Sequence, residues 1–143
     1  MSIFLVIFYS TNITMYYMEF YVGQCKTIFT AYLSTASIHN YCSRKHADEF
    51  QRLLNIVPET ISNYQMKEGT GKVFDIKEKI IIPVTIYFSN AKRTKLKVTF
   101  HITPIMENIT LGNDFIFNGP KSTLTNTSLT LNDGHSIKLK SID

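Results

Sequence analysis

The chain has 143 residues, of which 44% are hydrophobic and 13% aromatic, and this length and composition suit one domain with a substantial core. The formal charge of +4 is too small to indicate a nucleic-acid partner by itself. The two cysteines, Cys25 and Cys42, exclude the zinc patterns because no CxxC and no clustered histidine accompanies them. We therefore expect reduced thiols in an intracellular, cytoplasmic protein with no cofactor or metal, although two cysteines leave a disulfide open.

The first 17 residues form an uncharged extension before Glu19. Its apolar part, residues 3–9, lacks a basic flank and an Ala-x-Ala cleavage site, and it is too short to span a membrane. We predict an extension over 1–17 that is a strand or irregular, followed by one domain over 18–143, with a signal peptide as the alternative.

The first half of the domain predicts two strands around a turn at Gly23-Gln24 and then a helix. The helix lies in "SRKHADEFQRLLN", where Ser43 is the candidate cap and an apolar face recurs at helical spacing. Pro58 and "ETISNY" are expected to break it. The segment "QMKEGTGKVFDI" has two glycines between strand-like flanks and predicts a hairpin tip.

Alternating strands dominate the second half of the chain. "KIIIPVTIYF" and "LKVTFHITPI" each place apolar residues on one face. "ENITLGNDFIF" includes a candidate helical turn, and Asn132-Asp133-Gly134 predicts a hairpin between "SLTL" and "SIKLKS". The expected fold is mainly β and mostly antiparallel, with one short helix or two.

Four segments resemble, in order, the retropepsin-like aspartic proteases of retroviruses and long-terminal-repeat retrotransposons. They are the opening hairpin "MEFYVGQCKTIFTAYL" with "LSTASIHNYCS", the flap-like "MKEGTGKVFDIKEKIIIPVTI", the segment "ENITLGNDFI", and the closing "STLTNTSLTLNDGHSIKL". The resemblance covers about Met18 to Ile142. It implies a closed, barrel-like β domain that forms a homodimer.

The resemblance fails at the catalytic position. Aligned by "HNY", the family's Asp-Thr-Gly falls on Ser34, Thr35 and Ala36. In the family, two carboxylates from two subunits share a proton and activate a water molecule. A serine hydroxyl, whose pKa lies far above neutral, is no general base for water. We therefore predict no catalytic residue.

Other positions carry structural roles from the family. Thr35 corresponds to the threonine that bonds across the dimer, and Leu111, Gly112 and Asp114 fall in the apolar-Leu-Gly-x-Asp segment. There Gly112 implies close backbone approach next to the site, and Asp114 implies a helix cap or a dimer-stabilising ion pair.

The predicted flap tip comprises Glu68, Gly69, Thr70, Gly71 and Lys72. In the family this tip closes over a bound peptide, and the groove beneath it binds extended peptide by strand-like hydrogen bonds. Such binding does not require the aspartates. A plain exposed hairpin is the alternative for this segment.

A new serine hydrolase is a further alternative, with His39, His46 and Asp48 near Ser34 in sequence. Their spacing places no imidazole at hydrogen-bond range, so ordinary turn or surface histidines are expected. The basic run "AKRTKLK", residues 91–97, is interpreted as a solvated turn. A nucleic-acid partner is not expected.

These observations favour an inactive, retrotransposon-derived pseudoprotease that acts as a homodimerisation or peptide-binding module. Two alternatives stay open. One is an active endopeptidase that pairs with an Asp-bearing partner, and the other is a degenerate mobile-element remnant.

Overall fold

The computed structural model of the chain describes residues 4–7, 15–68, 71–104, 108–117, 123–125, 128–131 and 134–142. The elements, in chain order, are β1 Phe4–Ile7, β2 Met15–Val22, β3 Thr27–Leu33, β4 Asn40–Ser43, α1 Arg44–Leu54, β5 Glu59–Glu68, β6 Val73–Tyr87, β7 Arg93–Thr103, β8 Ile109–Leu111, α2 Asn113–Ile116, β9 Thr123–Leu124, β10 Ser128–Thr130, β11 Ser136–Lys138 and β12 Lys140–Ile142.

Six strands close into a barrel in the order β6, β7, β4, β8, β3 and β2, and a pairing of Tyr21 on β2 with Thr85 on β6 completes the ring. Strands β1 and β5 extend the sheet from β6, and β12 extends it from β2. A separate small sheet joins β9, β10 and β11. The mainly β fold, the closed barrel and the two short helices are confirmed.

The nine-stranded sheet that contains the barrel is not purely antiparallel. Strand β3 runs parallel to β8, β4 runs parallel to β7, and β1 runs parallel to β5. The sequence pattern missed this because alternation of polar and apolar residues reports which face is buried and not which way a neighbouring strand runs. The parallel pair β3–β8 brings residues 34 and 112 to the same end of the barrel.

The barrel interior is filled by alternate residues of the two longest strands, as their pattern predicts. The residues of β6 and β7 in the main hydrophobic core are Ile80, Ile82, Val84, Ile86, Val98, Phe100 and Ile102. Ring stacking adds to this core, because the Phe20 ring lies 5.7 Å from Phe29 and 6.1 Å from Phe100, centroid to centroid.

Helix α1 begins where its sequence predicts. The Ser43 hydroxyl accepts a hydrogen bond from His46 N at 3.1 Å, and Phe50 is fully buried against the barrel. The helix ends earlier than the proline, because Asn55 adopts the left-handed conformation with φ 54° and its N–H donates to Gln51 O. The segment "ETISNY" does not merely interrupt the helix, since it forms the first half of strand β5.

The N-terminal segment contains strands. β1 pairs with β5, from Phe4 opposite Gln65 to Ile7 opposite Glu68, and β2 begins at Met15, before the predicted domain start. The division into 1–17 and 18–143 stays a prediction. Near the C-terminus β10 pairs with β11 as expected for a hairpin, although Asn132 and Asp133 of its predicted turn lie outside the described residues.

Candidate functional site

The site loop, which we define as residues 34–37, follows β3 in a tight turn. Ser34 N donates to Leu111 O at 3.0 Å, and Ser37 N donates to Ser34 O at 3.3 Å. Ser34 is half-buried, Thr35 and Ala36 are exposed, and Ser37 is buried. Ala36 has a negative φ, so the backbone of this turn accommodates a side chain at the position where the family has glycine.

Helix α2 holds the site loop from the other side. Asn113 N donates to Ser37 O at 2.8 Å, Asp114 N donates to Ile38 O at 3.0 Å, and Asn113 Nδ2 donates to Thr35 O at 3.1 Å. The amides of the first helical turn thus satisfy the loop carbonyls, which otherwise need water as donor.

Gly112 sits where no side chain fits. A Cβ at this position would lie 2.3 Å from His39 O and 2.6 Å from Ser37 O, far inside van der Waals contact. Gly112 N donates to Asn40 Oδ1 at 2.9 Å, and Asn40 Nδ2 donates to Thr99 O at 3.1 Å. The buried Asn40 amide therefore ties Gly112 to β7, a positioning role that the sequence interpretation did not assign.

The structure therefore brings together the two segments that the resemblance pairs, Ser34–Ala36 and Leu111–Asp114. Asp114 does not cap α2 through its side chain, since its Oδ2 lies 2.7 Å from Nδ1 of His39 in the same chain. The carboxylate is at the helix N-terminus, where negative charge is favoured, and it orients His39 beneath the loop.

Neither histidine proposed as a partner for Ser34 is directed at it. His39 Nδ1 contacts Asp114, and His46 Nδ1 lies 2.9 Å from Ser43 Oγ. Burial lowers the pKa of His46 below its usual value. In the described part of the chain the Ser34 hydroxyl thus lacks the positioned base that a nucleophilic serine requires.

A group of five titratable side chains, the His-Tyr cluster, lies beside the site loop and was not predicted. It consists of His39, Tyr41, Tyr64, His101 and Asp114. The rings of His39 and His101 stack with centroids 4.3 Å apart. Tyr64 Oη lies 2.5 Å from His101 Nδ1 and 3.1 Å from Tyr41 Oη. The cluster connects α2 and β4 to the β5–β6 hairpin, where Tyr64 is opposite Ile76.

Burial sets the protonation states of this cluster. Desolvation raises the pKa of the fully buried Tyr41 phenol, and it raises the pKa of Tyr64 to about 12. Desolvation lowers the pKa of His101 to about 4, and electrostatic repulsion from the neighbouring His39 contributes to this shift. We assign the proton of neutral His101 to Nε2, because Nδ1 then accepts from Tyr64 and Tyr64 accepts from Tyr41.

The predicted flap corresponds to the hairpin of β5 and β6. Its strands pair up to Lys67 opposite Val73, and Gly71, with φ 94°, and Lys72 are exposed. Gly69 and Thr70 lie outside the described residues, and Glu68 is the last residue of β5. Hence the hairpin itself is present, whereas a clamp on peptide stays a prediction.

The part of this hairpin next to its tip is packed rather than free. Met66 and Ile76 are fully buried and form a small core with Tyr41 on β4. Because Tyr41 also belongs to the His-Tyr cluster, this part of the hairpin packs against the same cluster as the site loop.

Neither a protein-family model nor a curated protein sequence matches the chain. Among the described residues, no group of histidine, cysteine and acidic side chains is arranged to hold a metal ion. The helices of the described ranges are also too short or too polar to cross a membrane.

Proposed function

We propose that the chain is a retropepsin-like domain of the retrotransposon type that has lost catalysis and acts as a homodimerisation or peptide-binding module. One observation carries the proposal. A tight loop with Ser34-Thr35-Ala36 in place of Asp-Thr-Gly is held against Gly112 at the end of a closed barrel. The elements of this region follow the order and form that the resemblance implies.

The chemistry of the loop argues against proteolysis by a homodimer. Two copies of the loop would present two Ser34 hydroxyls and no carboxylate pair to share a proton. The nearest acid in the described structure of this region, Asp114, is held by His39. The Ser34 hydroxyls therefore supply no general base for a water molecule at the loop.

The exposed parts of the loop support a dimer. Thr35 and Ala36 face solvent in the single chain, so the threonine hydroxyl is free to meet a partner. Strand β12 is at the edge of the described sheet and pairs only with β2. An unpaired strand edge is a template for pairing with a second chain.

The hairpin supports a peptide ligand. Its tip exposes the polar Lys72 and the apolar Val73, which is 45% exposed. An extended peptide beneath such a tip gains main-chain hydrogen bonds from sheet edges and specificity from side-chain pockets. Neither contribution requires an acid at position 34.

Solution mass and a gain-of-function variant test the proposal together. Light scattering at micromolar concentration should give a dimer for the natural chain, and peptide-library digestion at acidic and neutral pH should show no cleavage. The double variant Ser34→Asp/Ala36→Gly is expected to keep the dimer and to gain cleavage that an aspartic-protease inhibitor blocks.

Each outcome of this test has a distinct meaning. A monomeric natural chain would contradict the dimer, and inhibitor-sensitive cleavage by the natural chain with an Asp-bearing partner would contradict the loss of catalysis. A folded, dimeric but inert double variant would show that the hairpin or the groove has diverged in addition to the loop.

A further inference from the structure

A cleft of ≈ 530 Å³ lies on the outer wall of the barrel, away from the site loop. It forms where β2, β6 and β7 meet the end of α1. Its walls include Tyr21, Lys26, Leu53, Leu54, Arg93 and Lys95. The volume falls within the range of small-molecule sites.

Cations from distant parts of the sequence converge on one side of this cleft. Lys26 Nζ, from the turn between β2 and β3, donates to Tyr87 Oη at 3.1 Å. Tyr87 is opposite Arg93 in the β6–β7 register, and Thr85 is opposite Lys95. The hydrogen bonds from Lys26 and from Arg93 both lower the pKa of the Tyr87 phenol.

No acid compensates these charges within the described residues. The ion pairs there use His39, Arg44, Lys79 and Lys140 as their cations, and no carboxylate lines the cleft. A concave surface with charge of one sign raises the local concentration of ions of the opposite sign. The cleft therefore selects for an anion.

Part of the lining of the cleft, beside these cations, is apolar and aromatic. Leu53 and Leu54 contribute the last turn of α1, and Tyr21 packs edge-on against Tyr87 with ring centroids 4.9 Å apart. Such a wall favours a flat, weakly polar body, while the guanidinium of Arg93 suits the planar recognition of phosphate oxygens.

We propose that this cleft binds a nucleoside phosphate unit, either as a free nucleotide or within a single-stranded nucleic acid. The base packs beside Tyr21, Leu53 and Leu54, and the phosphate contacts Lys26, Arg93 and Lys95. Aromatic contact with bases combined with cations along the backbone is the general mode of single-strand binding. The site uses neither the site loop nor the tip of the hairpin, so it is independent of the function proposed above.

The sequence alone did not reveal this face. The run at residues 91–97 is a solvated strand and turn by itself, and Lys26 lies more than sixty residues earlier. Closure of the barrel through the β2–β6 pairing brings the two together. The sequence did not lead us to expect a nucleic-acid partner, and this cleft is the site that we propose for one.

Fluorescence anisotropy of a labelled single-stranded oligonucleotide, titrated with the full chain, tests the proposal. If Lys26, Arg93 and Lys95 each neutralise one phosphate of the oligonucleotide, the logarithm of the affinity should fall with the logarithm of salt concentration with a slope of about −2 between about 50 and 200 mM salt. The variant Arg93→Gln/Lys95→Gln should weaken binding at least about tenfold and reduce the slope to about −0.7.

The matched control is Lys77→Gln, which removes a charge from the exposed face of β6 far from the cleft. It should leave binding unchanged. Circular dichroism of each variant verifies folding. A nucleoside monophosphate that displaces the oligonucleotide would identify a free nucleotide as sufficient, whereas failure to displace would identify the polymer as the ligand.

Three results would overturn the proposal. One is no binding of oligonucleotide or nucleotide at about 100 μM protein, the weak end of non-specific nucleic-acid affinity. Another is an equal loss of binding in Lys77→Gln. The third is competition by inorganic polyphosphate that equals competition by unlabelled oligonucleotide at the same phosphate concentration. That result would mean that the cleft binds anions and does not recognise a nucleobase.

Discussion

The site loop and the outer cleft are opposite kinds of surface on one barrel. At the loop, backbone amides bind backbone carbonyls, Gly112 leaves no free volume, and the Asp114 charge is paired with His39. At the cleft, ≈ 530 Å³ is open and the cations lack acidic partners among the described residues. The loop thus has fixed geometry and contains no carboxylate, and the cleft has unsatisfied charge. Changes at the loop should alter stability, and changes at the cleft should alter binding.

Gly112→Ala should have the largest effect. The added methyl would meet His39 O and Ser37 O at distances that force the loop and α2 apart. Overpacking of this kind costs about 3 kcal/mol in the free energy of unfolding, which urea denaturation measures. Gly71→Ala is the control, since no atom lies within 4 Å of its Cβ and only the positive φ is strained, at about 1 kcal/mol. Equal losses in the two variants would show that the loop is not tightly packed.

Acid should weaken the same region through His101. Its pKa is about 4 when folded and near 6.5 when unfolded, so between these values the unfolded chain binds the extra proton. Stability is therefore full above pH 6.5, falls as the pH drops toward 4, and levels off below it. The groups facing His101 are His39, Asp114, Tyr41, Tyr64 and Lys79.

A fall in pKa from 6.5 to about 4 corresponds to about 3 kcal/mol. Because His101 is only partly buried, solvent screening reduces the expected loss to about 2 kcal/mol, measured by urea denaturation across this pH range. His101→Gln should remove most of that slope. His135→Gln, a histidine outside the His-Tyr cluster that stacks on Phe88, should retain it. An unchanged slope in His101→Gln would contradict the assignment of a buried, neutral imidazole.

The double variant Arg93→Gln/Lys95→Gln tests the cleft half of the comparison between loop and cleft. Both side chains are exposed and form no ion pair in the described structure. Their loss should change the free energy of unfolding by less than about 0.5 kcal/mol, while it weakens oligonucleotide binding. A large loss of stability would mean that these cations support the fold.

The reactivity of the two cysteines should show the difference between an exposed and a packed region without any mutation. Cys25 is exposed in the turn beside the cleft, and Cys42 is fully buried on β4. Burial raises the pKa of the Cys42 thiol to about 12, which suppresses the reactive thiolate. A thiol reagent at neutral pH should label one cysteine in the native chain and both in urea. Rapid native labelling of Cys42 would contradict the packing beneath the loop.

Much of the fold was predictable because its signals are local. The alternation of Ile80, Ile82 and Val84 marked a barrel strand, and Ser43 marked the start of α1. The first half of strand β5 was missed because "ETISNY" carries polar residues at positions that are exposed in the hairpin. The parallel pairings were missed because strand direction depends on connections over long sequence distances.

The candidate site was predictable only where a motif exists. Ser34 and Gly112 were placed by the order of segments, and the structure puts them at one end of the barrel. The pairing of His39 with Asp114 and the stacking of His39 on His101 join residues far apart in the chain. No local pattern encodes such contacts, and the same holds for Lys26 and Arg93.

Disulfide cross-linking at the site loop tests the central claim most directly. Thr35→Cys in a Cys25→Ser background places an exposed thiol on the loop, and two loops that face each other across a two-fold axis bring the thiols into bonding range. We predict rapid formation of a covalent dimer of twice the 16.4 kDa chain mass at micromolar concentration. The control Asp48→Cys, on the exposed face of α1, should stay monomeric on denaturing gels. No covalent dimer from Thr35→Cys, or equal rates for both positions, would contradict a dimer built around the loop.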